Sequence, residues 1–76
     1  MPVVNVRVME NVLSLEQKNE IAEQFTETLV SVIGEPVREL SWVIVDDIGS
    51  GALTIAGNPV TTEAVKEMLA GAPAGA

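Results

Sequence analysis

The chain has no cysteine and no histidine. The first absence removes disulfides and thiolate metal sites. The second removes the commonest general base and metal ligand. Tyrosine is missing too, so Phe25 and Trp42 are the only aromatic residues. Cations are scarce: Arg7, Lys18, Arg38 and Lys66 stand against eleven acidic residues, for a net charge of −7. Four scattered cations make no basic stripe, so neither a nucleic-acid partner nor an anionic membrane surface is expected. No apolar run reaches the roughly 20 residues of a membrane span, and no charged segment with a following apolar one marks the N-terminus for export. A cytoplasmic protein is expected.

Apolar residues, by contrast, are plentiful. They make up 47% of the sequence, and the mean hydropathy is +0.34. Seventy-six residues suffice for one domain, and a chain this short buries only about 60% of what its unfolded form exposes. With neither disulfide nor thiolate metal site as a staple, association with further copies is the natural remedy. The sequence therefore predicts a homo-oligomer. Residues 1–71 read as the single domain, and 72–76, APAGA, as a flexible tail with too little apolar surface to stay ordered.

The fold class expected is α+β, a β-α-β subunit with parallel strands, a C-terminal ribbon and a short helix. Residues Val3 to Met9 alternate in the manner of a strand, with Val4, Val6 and Val8 on one face and Val3, Asn5, Arg7 and Met9 on the other. The stretch SLEQ opens a helix, Ser14 and Gln17 forming a capping box. Ile21, Ala22, Phe25, Leu29, Val32 and Ile33 then recur at helical spacing, and Gly34 is expected to end the helix as a left-handed residue. After a turn at Glu35-Pro36, residues Leu40 to Val45 read as a second strand. Strand, helix and strand within this length make a βαβ unit with parallel pairing. Leu40, Trp42 and Ile44 share one face of that strand, and Trp42 is expected beneath the helix as core packing. The glycine-rich segment GSGALTIAGNP lacks the spacing of a phosphate loop and reads as a small hairpin. Thr61 or Thr62 caps a last helix that Gly71 ends.

The catalytic inventory is short. Asp46 and Asp47 are adjacent on a strand, so they point to opposite faces and cannot share a proton or a metal; they read as an acidic strand end in solvent. Ser14 and Ser50 have no histidine to activate them. That leaves the amino terminus, MP. Removal of Met1 would expose the imino nitrogen of Pro2, whereas with Met1 in place that nitrogen is an amide without a basic lone pair. A freed α-amine has a pKa of about 7.7–8.0, and an apolar surrounding lowers it towards neutrality. That is the range that general acid–base catalysis favours. The proline ring fixes the backbone, so little entropy is lost in aiming the lone pair. Val3 and Met9 are expected to form an apolar wall beside it.

The ordered set of motifs resembles the 4-oxalocrotonate tautomerase family. It comprises MP, an alternating strand, the SLEQKNEIAEQF helix start, the turn proline Pro36, the strand SWVIVDD and the ribbon between Gly51 and Gly57, covering about residues 2–60. The resemblance implies a β-α-β subunit that pairs into a four-stranded dimer, three dimers making a hexamer, with trimer or dimer as alternatives. It also implies a processed Pro2 that moves a proton between carbons of an enol or dienol, with no cofactor. Val12 and Ser41 stand where the family carries arginines for a dicarboxylate, and Leu53 where its ribbon carries an aromatic residue. A site of Pro2, Val3, Met9, Val12, Ser41 and Leu53 is greasier, and suits a less charged enol, such as that of an aryl pyruvate, or an unsaturated carbonyl compound. Arg7 shares the face of Val3 and Met9 and is a candidate lining residue; its plainer role is an ion pair with Asp47 or Glu10. A member that kept the fold as a structural subunit or binding module is the competing expectation.

Overall fold

The structure, a computed structural model, describes residues 2–71. Met1 and the tail expected over 72–76 lie outside the described residues. The elements are β1 (Val3–Met9), α1 (Leu15–Ile33), a 3-10 turn (Glu35–Leu40), β2 (Trp42–Ile48), β3 (Leu53–Ile55), β4 (Asn58–Val60) and α2 (Thr62–Gly71). β1 and β2 pair in parallel, in register from Val3 opposite Trp42 to Met9 opposite Ile48. The expected β-α-β unit is therefore present.

Local chemistry sets the start of α1. Ser14 Oγ accepts from the Gln17 amide at 3.1 Å, and the Ser14 amide donates to Gln17 Oε1 at 2.9 Å. These reciprocal bonds satisfy two amides that the first turn would otherwise leave unpaired. Gly34 ends the helix, its amide donating to the Val30 carbonyl at 2.9 Å. Its φ of 125° is positive as expected, but ψ is 159°, so the residue is extended and not left-handed helical. Only glycine occupies that region without strain.

Half-buried residues of α1 run along Lys18, Ile21, Ala22, Thr26, Leu29 and Val30. Phe25, Val32 and Ile33 stand outside that stripe, exposed by 41%, 79% and 61%. Length explains the last two. A helix of 19 residues runs about 28 Å, against about 23 Å for a seven-residue strand, so its final turn overhangs the sheet.

The second strand begins two residues later and ends three later than the sequence predicts. Residues Glu35–Leu40 wind into a turn instead, held by Arg38. Its guanidinium donates to Glu35 Oε1 at 2.7 Å and to Glu27 Oε2 of α1 at 3.1 Å. The hydrogen bonds from Arg38, aided by its charge, hold both carboxyls below the ordinary carboxylate value.

The two-stranded sheet has one covered face. Val4, Val6 and Val8 of β1 and Val43 and Val45 of β2 are half-buried on the side of α1. Asp47 shares that side, and its Oδ1 accepts from Lys18 Nζ of α1 at 2.7 Å. Asp46 takes the opposite face, so the two aspartates diverge as alternation requires. Trp42 corrects the reading of β2, being 60% exposed on the open face instead of packed beneath the helix.

The glycine-rich segment is a hairpin, with Leu53 opposite Val60 and Ile55 opposite Asn58. Its two turn residues, Ala56 and Gly57, both have positive φ, 53° and 81°. Such turns match the right-handed twist of the strands they join. Thr61 Oγ1 accepts from the Ala64 amide at 3.1 Å, which makes Thr61 the cap of α2. Among the described residues, Met9 and Val37 are the only apolar ones buried, at 8% and 6% exposure. The radius of gyration is 15.1 Å, against about 11 Å for a compact domain of this length. No helix among the described residues is long and apolar enough to cross a membrane.

Candidate active site

Pro2 stands at the threshold of β1, half-buried. Its carbonyl accepts from the Trp42 amide at 3.1 Å, which ties the first residues of the parallel pair together. Proline suits the position because it has no amide hydrogen to leave unpaired at a strand start. One register step before Val3 and Trp42, Pro2 lies opposite Ser41. By alternation these two share the side covered by α1, while Val3 and Trp42 project from the other. Ser41 Oγ donates to the Val37 carbonyl at 2.8 Å, so its hydroxyl is engaged in holding the end of the 3-10 turn.

The remaining expected site residues fall elsewhere in the single chain. Met9 is at the far end of β1, about 23 Å along the strand from Pro2 by its rise per residue, and it is buried. Val12 lies just past it, half-buried, beyond Asn11 with its φ of 59°. Leu53 opens β3, exposed by 41%. One chain thus brings Pro2 and Ser41 to the same end and side of the sheet, with Val3 projecting from the other face, and separates them from Met9 and Val12. Arg7 is exposed on the open face midway between the ends. The carboxylates expected to pair with it are engaged otherwise within the chain: Asp47 with Lys18, and Glu10 Oε2 with the Ser50 amide at 2.6 Å.

Two cavities among the described residues lie away from Pro2. The larger, about 440 Å³, lies along α1 between Leu13, Ile21 and Phe25. The other, about 370 Å³, is formed by Glu35, Pro36, Arg38 and Glu39 at the 3-10 turn. Sequence reasoning missed the network at the far end of β1, where Thr62 Oγ1 donates to the Glu10 carbonyl at 2.9 Å across 52 positions of sequence. No local pattern announces such a bond. It also missed Trp42 as the residue whose backbone holds Pro2, although the parallel pairing it expected implied a partner there.

The fold is thus a parallel β-α-β unit whose first strand follows directly on a proline, with a hairpin and a short helix after it. The comparison with protein families is more specific. Residues 2–69 match the family described as Tautomerase enzyme, and the chain belongs to it. The match begins at Pro2, covers β1 through β4 and ends within α2. No curated protein and no solved structure matches the chain. Membership in this family points to isomerase chemistry of the tautomerase type.

Proposed function

We propose that the protein is a cofactor-independent keto–enol tautomerase, with Pro2 as its general base once Met1 has been removed. The family match starting at Pro2 is the observation that carries this reading. In the proposed step the imino nitrogen takes a proton from one atom of an enol or dienol and returns it to a carbon of the same substrate. A base with a pKa near the working pH is what such a shuttle favours, and the half-buried position of Pro2 favours the neutral amine.

The substrate class proposed is an enol of a keto acid or related carbonyl compound with little charge. No cation stands at Val12 or Ser41, and the Ser41 hydroxyl is already bonded to Val37. A dicarboxylate would therefore lack the paired, charge-assisted contacts that hold such ligands. Met9, Val12 and Leu53 complete the greasy wall only if another copy supplies them, and an oligomeric enzyme, hexameric on the family pattern, is part of the proposal. The loose single chain, with only Met9 and Val37 buried among its described apolar residues, supports that view. A cytoplasmic location is proposed with it.

The test is a panel of enols followed in the ultraviolet, on protein whose terminus is verified as proline by mass spectrometry. Phenylenolpyruvate should be turned over better than a dicarboxylic dienol; the reverse order would overturn the substrate class. Methionine found intact on protein from its own organism would rule out the amine mechanism. The missing arginines would then favour the second reading, a non-catalytic member serving as a structural subunit or binding module.

A further inference from the structure

Between α1 and β2 the chain turns through Glu35–Leu40, and that turn is tied down on both sides. Towards α1, the Arg38 guanidinium donates to both oxygens of Glu27, 11 residues back, and through Nε to Glu35 Oε1 at 2.7 Å. Towards β2, the Val37 carbonyl accepts from Ser41 Oγ at 2.8 Å, and the Val37 amide donates to the Gly34 carbonyl at 3.1 Å. The next residue, Trp42, donates its amide to the Pro2 carbonyl at 3.1 Å. Hydrogen bonds and single peptide links thus run from Glu27 through Arg38, Val37 and Ser41 to Pro2. Stability does not account for this clamp. Glu27, Glu35 and Arg38 are exposed, and exposed ion pairs contribute little to folding. Geometry does account for it. A 3-10 turn has poorer hydrogen bonds than an α-helix and holds its shape weakly alone, whereas the planar fork of arginine fixes the angle between the carboxylates it grips.

We infer that Arg38 is a positioning residue for Pro2, acting through the 3-10 turn and the Trp42 amide. The proline ring leaves ψ as the one torsion between its nitrogen and its carbonyl, so the bond that holds the carbonyl also aims the nitrogen. The direction of that bond depends on where the turn sets down the first residue of β2. By gripping α1, Arg38 fixes that point at the end of the sheet where a single rung closes the ladder. With the grip released the turn is free to shift, and a misplacement on the order of 1 Å costs a reaction up to about 10²-fold. The role rests on the tautomerase reading, and adds to it a side chain that itself touches no substrate.

The experiment compares the full chain, with a verified proline terminus, with its variants Arg38→Gln and Glu27→Ala. Amide hydrogen exchange followed by NMR needs no substrate. The Trp42 amide should exchange about tenfold faster in each variant, while the Glu10 amide, bonded to Ile48 at the far end of β1, should keep its rate. A clamp that only stabilises the fold would quicken both alike. On phenylenolpyruvate each variant should lose about tenfold in kcat with KM within about twofold, at a temperature where far-UV circular dichroism shows it fully folded. The double variant should be no worse than either single one, since both break the same grip. Equal quickening of the two amides, an unmoved Trp42 amide, or the parent kcat in either variant overturns the inference. Should Arg38→Gln fail to fold, Glu27→Ala decides alone, because it leaves the bond to Glu35 in place at an exposed helical site that alanine suits. A parent chain that turns over no enol of the panel defeats the tautomerase reading instead, and the exchange rates then still decide whether the clamp holds the strand end.

Discussion

The two ends of β1 are held in different ways. At the far end, the Glu10 amide bonds to the Ile48 carbonyl at 2.8 Å and Glu10 Oε2 accepts from the Ser50 amide at 2.6 Å. The Glu10 carbonyl accepts from Thr62 Oγ1, and the Thr62 amide donates to Ser50 Oγ, both at 2.9 Å. Met9 and Thr62 are buried there. At the near end, one hydrogen bond from the Trp42 amide to the Pro2 carbonyl closes the ladder, between exposed Val3 and Trp42. The strand is fastened by residues from the second half of the chain at one end and left approachable at the other. Rigidity is thus placed away from the nitrogen proposed to react, which a substrate has to reach.

That contrast can be broken most directly at Pro2. Replacing it, Pro2→Ala, should lower kcat/KM by about 10²–10⁴-fold, the usual contribution of a positioned base, while the thermal midpoint barely moves. A large drop in the midpoint would show that the near end is structural after all. The opposite pattern is expected at the far end. Thr62→Val removes the donor to the Glu10 carbonyl in a buried site and should cost about 1–3 kcal/mol in urea denaturation. Activity of the folded fraction should survive it.

Smaller effects sharpen the picture. Ser14→Ala removes the cap of α1 and should cost about 1 kcal/mol, read from the same denaturation curves. Ala56→Gly should gain about 0.5–1 kcal/mol, because an L-residue with φ of 53° is strained where glycine is not. Smallest is the acid response of the Arg38 clamp. Glu27 and Glu35 titrate lower in the folded chain than the ordinary 4.5, so their contribution is present above that pH and fades as the pH falls below it. Arg38→Gln should flatten this part of the stability profile; an unchanged slope would show the clamp to be idle.

Much of the fold was legible because it is local. The capping box at Ser14 and Gln17, the alternation of β1, the hairpin with its Gly57 and the threonine cap of α2 each depend on residues a few positions apart. The edges of β2 were less so. The segment EPVREL is shaped by Arg38 reaching back 11 residues to Glu27, which no spacing rule announces. Trp42 was put on the wrong side for a related reason. Both faces of β2 are apolar, alternation ranks neither, and the choice is made by the helix, which covers Val43 and Val45. For the site, the sequence led to Pro2 and Ser41 at one end of the sheet. Met9 and Val12 could not be related to them by reading along the chain, because a strand of seven residues separates the two groups.

Gly34 carries a consequence for the chirality of the chain. A Cβ built there would meet Pro36 Cδ at 3.7 Å, an ordinary contact, so room is not the obstacle. The obstacle is the backbone, whose φ of 125° and ψ of 159° mirror the extended region of an L-residue. Chemical synthesis could therefore install D-alanine at this one joint with the helix and its exit turn intact, while the L enantiomer, with the same atoms, would distort both.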